Sequence, residues 1–178
     1  MLKVFLKSIR NNIVITYEFL NGLLFSLPRY PLLNCLKKGL LMLMGAQIGK
    51  RPVFYPGVWI NTGKNLVMGD DVDIAKNVLI TTNGGVEIGD RTLVGYGTMI
   101  ISSNHDIPPI GEPYPPSGTN YEKVTIGRDV WIGAGCIILP GVTIGEGATV
   151  SAGSIVTKDI PQNAIAMGIP AKVVKFRV

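Results

Sequence analysis

The chain has 178 residues, 47% of them hydrophobic and only 7% aromatic, with 22 glycines, 12 prolines and a net charge of +5. This length suffices for one domain with a sizeable core, and the composition is unlike that of disordered or collagen-like chains. The cysteines Cys35 and Cys136 show no disulfide or metal-binding spacing, which favours a reducing, cytoplasmic location. A single histidine excludes a metal site built on three histidine ligands.

Positive charge is concentrated at the N-terminal end. Residues 1–51 carry eight lysines and arginines against one acidic residue, Glu18, which gives a net charge of +7. The remaining residues carry nine against eleven, which gives −2. A basic segment beside a nearly neutral body is typical of contact with an anionic membrane or a polyanionic substrate. The basic residues are not interleaved with aromatic ones, so nothing predicts nucleic-acid binding.

Two helices are predicted in residues 1–45, which we interpret as an N-terminal cap or arm. The apolar run from Ile13 to Leu27 contains Glu18 and Asn21, is too polar for a membrane span, and indicates an amphipathic helix. Prolines end it, and a second helix is predicted from Pro31 to Met44. The helices can cover the open end of the following domain or lie peripherally on a membrane, and the sequence leaves both possibilities open.

A six-residue repeat dominates residues 46–160. From Val124 to Thr157, a large aliphatic residue recurs at every sixth position, and a smaller or branched residue stands two positions before each. The aliphatic series is Ile126, Ile132, Ile138, Ile144, Val150 and Val156, and the smaller series is Val124, Val130, Cys136, Val142, Ala148 and Ser154. An α-helix has no six-residue period, whereas a β-solenoid turns a corner after each short strand. The repeat therefore predicts an all-β solenoid with a narrow aliphatic core.

The same repeat groups into coils earlier in the chain. Two extra residues separate successive sets of three aliphatic positions, so a coil comprises three hexapeptides and has a triangular cross-section. Five coils are predicted, starting near Ile48, Met68, Ile88, Ile126 and Ile144. Glycine directly follows three of the aliphatic residues, at Gly127, Gly133 and Gly145. We expect these glycines to supply backbone angles that other residues avoid.

An insertion interrupts the repeat between Ile100 and Ile126. Residues 106–125 contain five prolines, which cannot continue a strand ladder, so we predict an extruded loop. Long loops on rigid scaffolds commonly carry function, and His105 stands at the root of this one. Pro161 is expected to end the solenoid, which leaves residues 161–178 as a short C-terminal tail.

Two segments resemble the left-handed β-helix, or hexapeptide-repeat, acyltransferases. They are VTIGRDVWIGAGCIILPGVTIG at residues 124–145 and AGSIVTKDIPQNAIAMGIPAKVV at residues 152–174. The branch that the chain resembles most contains maltose and galactoside acetyltransferases and O-acetyltransferases of cell-surface polysaccharides. The resemblance covers residues 46–178. It implies a left-handed parallel β-helix, a homotrimer with active sites between subunits, acetyl-CoA as donor and a carbohydrate acceptor.

The resemblance also implies that His105 is the catalytic base. A sugar hydroxyl is a weak nucleophile near neutral pH, and histidine is the side chain best suited to accept its proton. Neighbouring residues on an extended chain point to opposite sides, so the group that orients His105 is expected elsewhere, for example a backbone carbonyl. The predicted acceptor-binding residues are Asp73, Lys76, Asn104 and Asp106. Where similar enzymes carry an asparagine that assists the acceptor, this chain has Ala75.

A second set of residues is implied along the donor. Trp131 is expected beside the pantetheine arm, Ile169 and Pro170 against the adenine, and the lysines near the phosphates. The full set is Trp131, Ala134, Ala152, Thr157, Lys158, Ile169, Pro170, Lys172 and Lys175. The alternative for the lysines is that they only keep the end of the solenoid soluble.

Two other functions are compatible with parts of this pattern. N-acetylation of an amino sugar or of an antibiotic is the closest enzymatic alternative. A catalytically silent scaffold belongs to a different class, but a scaffold requires neither the histidine nor the extruded loop. The basic, apolar N-terminal segment suits an acceptor that is held at a membrane.

Overall fold

The computed structural model describes residues 2–114 and 118–178, so residues 115–117 of the predicted loop lie outside the described residues. Two helices, α1 (Leu2–Ser26) and α2 (Pro31–Leu43), precede the repeat region. Pro31 occupies the first turn of α2, where its missing N–H would have had no partner within the helix. Both predicted helices are confirmed, and α1 begins well before the apolar run.

Short strands form the three faces of a parallel β-helix. Face one contains β1 (Gln47–Ile48), β4 (Leu66–Met68), β7 (Val86–Ile88), β12 (Val124–Ile126) and β15 (Thr143–Ile144). Face two contains β2 (Val53–Phe54), β5 (Asp73–Ile74), β8 (Leu93–Val94), β13 (Trp131–Ile132), β16 (Thr149–Val150), β18 (Ala164–Gly168) and β19 (Ala171–Phe176). Face three contains β3 (Trp59–Ile60), β6 (Leu79–Ile80), β9 (Met99–Ile100), β14 (Ile137–Ile138) and β17 (Ile155–Val156). A hairpin of β10 (Ser103–His105) and β11 (Thr119–Tyr121) projects from this body.

The strand register follows the six-residue repeat. Ile126 aligns with Ile88 in the coil before it and with Ile144 in the coil after it. Every aliphatic position of the repeat is buried, and the most exposed of them, Ile48, is only 8% exposed. The smaller series is buried as well, because these side chains fill the corners beside the aliphatic core. The predicted solenoid and its triangular coils are confirmed.

The solenoid continues past the five predicted coils. Ile160 forms a bridge with Ile144 on face one, and β18 pairs in parallel with β16 on face two. Pro161 lies in the corner between these segments, outside both ladders, so its missing N–H interrupts no strand pairing. The expectation that Pro161 ends the solenoid is therefore wrong. The chain completes part of a sixth coil before β19 turns back along β18 in antiparallel pairing.

The glycines that follow the aliphatic residues allow neighbouring coils to approach closely. A Cβ atom at Gly127 would lie 2.6 Å from the backbone nitrogen of Glu146 in the next coil. Gly133 and Gly145 meet the following coil in the same way, and none of the three has a positive φ. Positive φ occurs two residues later, as at Gly135 (φ 65°). The expectation that the first three glycines supply unusual backbone angles is therefore wrong.

The two helices cover the open end of the first coil. Phe25 of α1 packs edge-to-face on Phe54 of β2, with ring centroids 5.4 Å apart. Asn34 of α2 accepts a hydrogen bond from the backbone N–H of Phe54 at 3.2 Å, so this edge strand is not left unpaired there. Both helices therefore contact the first coil.

A buried lysine ties the helices to the solenoid. The Lys37 side chain is fully buried, and its ammonium group donates hydrogen bonds to the carbonyls of Leu27 (2.9 Å) and Phe54 (3.2 Å). A third carbonyl, of Pro28, lies at 3.4 Å. Burial lowers the pKa of Lys37, because a charged amine loses solvation inside the protein. The chain between α1 and α2 is thereby fixed against the first coil.

In the described coils, only one of the three corners of the solenoid contains inserted residues. We name each corner by the faces that it joins, so the three–one corner leads from face three to face one. The turns at residues 61–65 and 81–85 and the long segment at residues 101–123 all lie at the three–one corner. His105 is therefore presented at the only corner that the described coils use for insertions.

Candidate active site

Four residues occupy equivalent positions at the two–three corner, one in each successive coil. The N–H of Gly97 donates to the carbonyl of Lys76 at 3.0 Å, and each later coil repeats this contact. The stacked residues are Lys76, Tyr96, Ala134 and Ala152. The structure thus brings one predicted acceptor residue, Lys76, into line with two predicted donor residues.

A groove of about 470 Å³ runs along this corner. Its walls include Trp131, Tyr96 and Thr149, and its floor includes Ala134 and Ala152. Among the described residues, the backbone N–H groups of Ala134 and Ala152 have no hydrogen-bond acceptor. An apolar groove lined by residues whose N–H groups lack an acceptor suits an extended ligand that carries amide carbonyls.

Trp131 and Asp73 stand on the outer side of face two. Trp131 aligns with Leu93, and Leu93 aligns with Asp73, so the two predicted residues are separated by one strand. Burial raises the pKa of the half-buried Asp73 carboxyl, and the positive charge of Arg29 opposes that shift. The predicted acceptor residue Asp73 therefore lies on the same surface as the groove, at the end nearer the helices.

His105 occupies the end of β10, at the three–one corner. It pairs across the hairpin with Thr119, and its Nδ1 atom lies 3.4 Å from the carbonyl oxygen of Gly118. A carbonyl oxygen only accepts, so this contact favours the tautomer that carries its proton on Nδ1 and leaves Nε2 free to accept a proton. Asn104 and Asp106 are exposed, and within the described residues neither is hydrogen-bonded to the imidazole. The backbone N–H of Asp106 donates to the same Gly118 carbonyl at 3.1 Å.

The root of the hairpin is held firmly against the solenoid. Ser102 is fully buried, and its hydroxyl accepts a hydrogen bond from the N–H of Gly84 at 3.1 Å. The carbonyl of Ser102 accepts from the N–H of Glu122 at 3.0 Å, which closes the base of the insertion. His105 therefore lies three residues from a buried anchor.

The remaining predicted donor residues fall at two different corners. Thr157 and Lys158 follow β17 and are exposed at the three–one corner. The turn at Ile169 and Pro170 lies at the two–three corner, where the N–H of Gly168 donates to the Ser154 hydroxyl at 3.1 Å. Two exposed lysines sit on β19, with Lys172 opposite Met167 near that turn and Lys175 opposite Ile165. Within one chain, the lysines do not form a single cluster.

The predicted site residues thus form two groups on opposite sides of face three. The groove group, at the two–three corner and on the adjoining strands of face two, contains Asp73, Lys76, Trp131, Ala134, Ala152, Ile169, Pro170, Lys172 and Lys175. The histidine group at the three–one corner contains Asn104, His105, Asp106, Thr157 and Lys158. Sequence reasoning missed Tyr96 and the Gly118 carbonyl. Tyr96 follows Lys76 by 20 residues, so the coil spacing alone could have identified it.

Comparisons with known proteins agree with this architecture. The family model "Bacterial transferase hexapeptide (six repeats)" matches residues 123–158. Galactoside O-acetyltransferase of Escherichia coli (strain K12) is 35% identical over 140 residues, which are 78% of this chain and 68% of that protein. WcaF of the same organism, whose name assigns it provisionally to colanic acid biosynthesis as an acetyltransferase, is 33% identical over 139 residues, 78% of this chain and 74% of that one.

A solved structure gives the same result in three dimensions. A galactoside acetyltransferase in complex with coenzyme A superposes with a TM-score of 0.76 at 30% identity, covering 92% of this chain and 82% of that one. The chain belongs to the hexapeptide-repeat acyltransferases, whose fold is the left-handed parallel β-helix. Its relatives in this family include the galactoside O-acetyltransferases.

Proposed function

We propose that this protein transfers the acetyl group of acetyl-CoA to a hydroxyl of a sugar in surface polysaccharide or glycan biosynthesis. The observation that carries the proposal is that one solenoid of this family has both an anchored histidine and an apolar groove. Two further facts support it: relatives are named as galactoside and polysaccharide acetyltransferases, and a structural neighbour was solved with coenzyme A.

In the proposed reaction, Nε2 of His105 accepts the proton of the sugar hydroxyl as the oxygen attacks the thioester carbonyl. The tetrahedral intermediate then collapses, the C–S bond breaks, and the imidazolium returns the proton to the departing thiolate of coenzyme A. The Gly118 carbonyl holds Nδ1–H and so keeps the imidazole in the tautomer that the first step requires. Backbone N–H groups at the corners are the candidates for stabilising the oxyanion.

For the donor, we propose that the pantetheine arm lies in the groove beside Trp131, over the N–H groups of Ala134 and Ala152. The turn at Ile169 and Pro170 continues the same corner, so the adenine can reach it. Lys172 lies beside that turn and Lys175 farther along β19, where either can meet the phosphates. Thr157 and Lys158 stand at the other corner, so they can contact a donor bound in a neighbouring subunit's groove.

We further propose a homotrimer in which each active site lies between subunits. Face three separates the groove from His105 in one chain, whereas the acetyl thioester must reach within about 3.5 Å of the activated hydroxyl. A neighbouring subunit that presents its three–one corner to this groove would bring the two groups together. Threefold closure suits a triangular solenoid with flat faces.

Acceptor chemistry is tested by consumption of acetyl-CoA against a panel of mono- and oligosaccharides. We expect thiol release with hydroxylated sugars, and NMR of the product should show an acetyl ester. Amino sugars serve as the comparison, because an amine gives an amide that survives mild base, whereas the ester does not. If only amides form, the reaction is N-acetylation and not O-acetylation. If no sugar is turned over, the acceptor is not one of these carbohydrates and the proposed substrate class is wrong.

Subunit complementation tests the shared site. His105→Ala removes the base, and Ala134→Trp fills the groove with an exposed side chain that the fold can tolerate. Each variant alone should be inactive, but co-expression of the two should restore about one quarter of the wild-type activity, the share of interfaces that combine an intact groove with an intact histidine under random threefold assembly.

The control for complementation pairs His105→Ala with a chain that carries both substitutions. That mixture contains no intact histidine and should stay inactive, while light scattering should show the same oligomer in every sample. Absence of recovery in properly mixed oligomers would place the groove and the histidine of each site in the same chain.

A further inference from the structure

The helical cap turns a row of large apolar side chains toward solvent. On α1, Ile15, Phe19 and Leu23 follow one another at intervals of four residues, and Phe19 is 70% exposed. Residues four apart lie on the same side of an α-helix, so these three form one stripe. The opposite side of α1 carries Asn21 and Phe25, which are buried against the first coil. The apolar stripe is therefore additional to the side chains that build the cap.

The second helix repeats the arrangement. Leu32 and Leu36 are one turn apart on α2 and both are exposed, with Leu32 at 71%. The buried side of this helix is formed by Asn34, Lys37 and Leu41. Soluble proteins rarely leave such rows uncovered, so exposed apolar stripes of this kind indicate an interaction surface.

Cationic groups lie beside α2, next to the first coil. A cavity of about 450 Å³ between α2 and the first coil is lined by Arg29, Lys38 and Arg51, together with apolar atoms of Pro31 and Val53. Arg51 is paired with Asp71, whereas no carboxylate within salt-bridge distance of Arg29 or Lys38 is found among the described residues. The first 51 residues carry a net charge of +7. Anionic headgroups would complement this charge, while the stripes enter the acyl boundary.

We propose that the helical cap, α1 with α2, binds peripherally to an anionic lipid bilayer through these two stripes. No helix within residues 2–114 and 118–178 is long and apolar enough to span a membrane, so the helices would lie in the plane of the interface. The solenoid axis leads away from the cap, and Asp73 is only one coil beyond the strand that contacts α2. The cap would therefore hold the helix-proximal end of face two close to the lipid surface.

Vesicle co-sedimentation of the full chain tests this binding. We expect the protein to sediment with vesicles of phosphatidylcholine mixed with phosphatidylglycerol at low salt, to bind phosphatidylcholine alone far more weakly, and to be released by added salt. The double variant Phe19→Ser with Leu23→Ser should lower the partition coefficient by at least about tenfold, because two large side chains no longer enter the bilayer. Ile110→Ser, at an exposed apolar position of the extruded loop, is the matched control and should bind like wild type.

A second variant, Leu32→Ser with Leu36→Ser, addresses α2 separately and keeps the test decisive if the α1 variant misfolds. Light scattering of each variant tests the alternative that the stripes bind another copy of the chain. Binding that is unchanged in both double variants, or wild type that ignores anionic vesicles, would overturn the proposal. Loss of the oligomer in the variants, with no vesicle binding by wild type, would show instead that the stripes pack against another copy of the chain. None of these measurements requires acetyl transfer, so they stand apart from the proposed reaction.

Discussion

His105→Ala is expected to lower turnover by at least about 100-fold, the usual contribution of a general base. Without the imidazole, the hairpin loses the side chain best suited to accept a hydroxyl proton near neutral pH. The Michaelis constant for acetyl-CoA should change little, because in the proposed reaction the histidine acts on the acceptor and the groove proposed for the donor lies at the other corner. Steady-state kinetics with a saccharide from the active panel would measure both quantities.

The control for this substitution is Thr119→Ala, on the strand that pairs with His105. It removes a side chain from the same hairpin but no titratable group, so turnover should stay within about threefold of wild type. Equal losses in the two variants would indicate that the hairpin was disturbed rather than that a base was removed. Turnover above about one tenth of wild type in His105→Ala would remove the histidine from the proposed role.

Gly89→Ala is expected to lower the free energy of unfolding by about 3 kcal/mol, at the upper end of the range for overpacking. An added Cβ would lie 2.6 Å from the carbonyl carbon of Gly127 and 2.8 Å from the Cα of Arg128, both of which are backbone atoms that no rotamer change can move. Two coils would have to separate at that corner. In a molecule of this size the thermal midpoint should fall by roughly 6–12 °C at a fixed protein concentration.

Gly39→Ala is the matched control, since it makes the same substitution where no heavy atom lies within 4 Å of the new Cβ. Gly39 is in the interior of α2, where alanine is favoured over glycine by up to about 1 kcal/mol. The control should therefore match or exceed wild type in stability. Similar thermal midpoints for Gly89→Ala and Gly39→Ala would mean that the two coils are less closely packed at Gly89 than the backbone distances indicate.

The fold was readable from the sequence because a solenoid encodes its register locally. The interval of 20 residues from Ile48 to Met68 to Ile88 determines which strands pair, and the structure pairs them in that way. Reading the role of the glycines failed for a physical reason. Gly127 is required by the distance to the next coil, and a distance between coils is not visible in a linear pattern. The prediction for Pro161 was wrong because a proline interrupts a strand ladder only when it lies within a strand, and Pro161 lies in a corner.

The candidate site could be predicted only in part from the sequence. The stack of Lys76, Ala134 and Ala152 follows from coil spacing, whereas the contact of His105 with the Gly118 carbonyl depends on how an irregular loop closes. No repeat constrains that closure. The separation of groove and histidine by a whole face also emerges only when the coils are stacked, and it is this separation that motivates the proposal of a shared site.

The confinement of every insertion to the three–one corner has a consequence for how such an enzyme can diversify. A change of length at that corner leaves the six-residue interval intact on either side, so the groove and the core keep their registry. The part of the loop that follows His105 can therefore change in length while the anchor at Ser102 and the coils keep their positions. Under the proposed function, the length of this loop can then vary independently of the groove that is proposed to hold the donor.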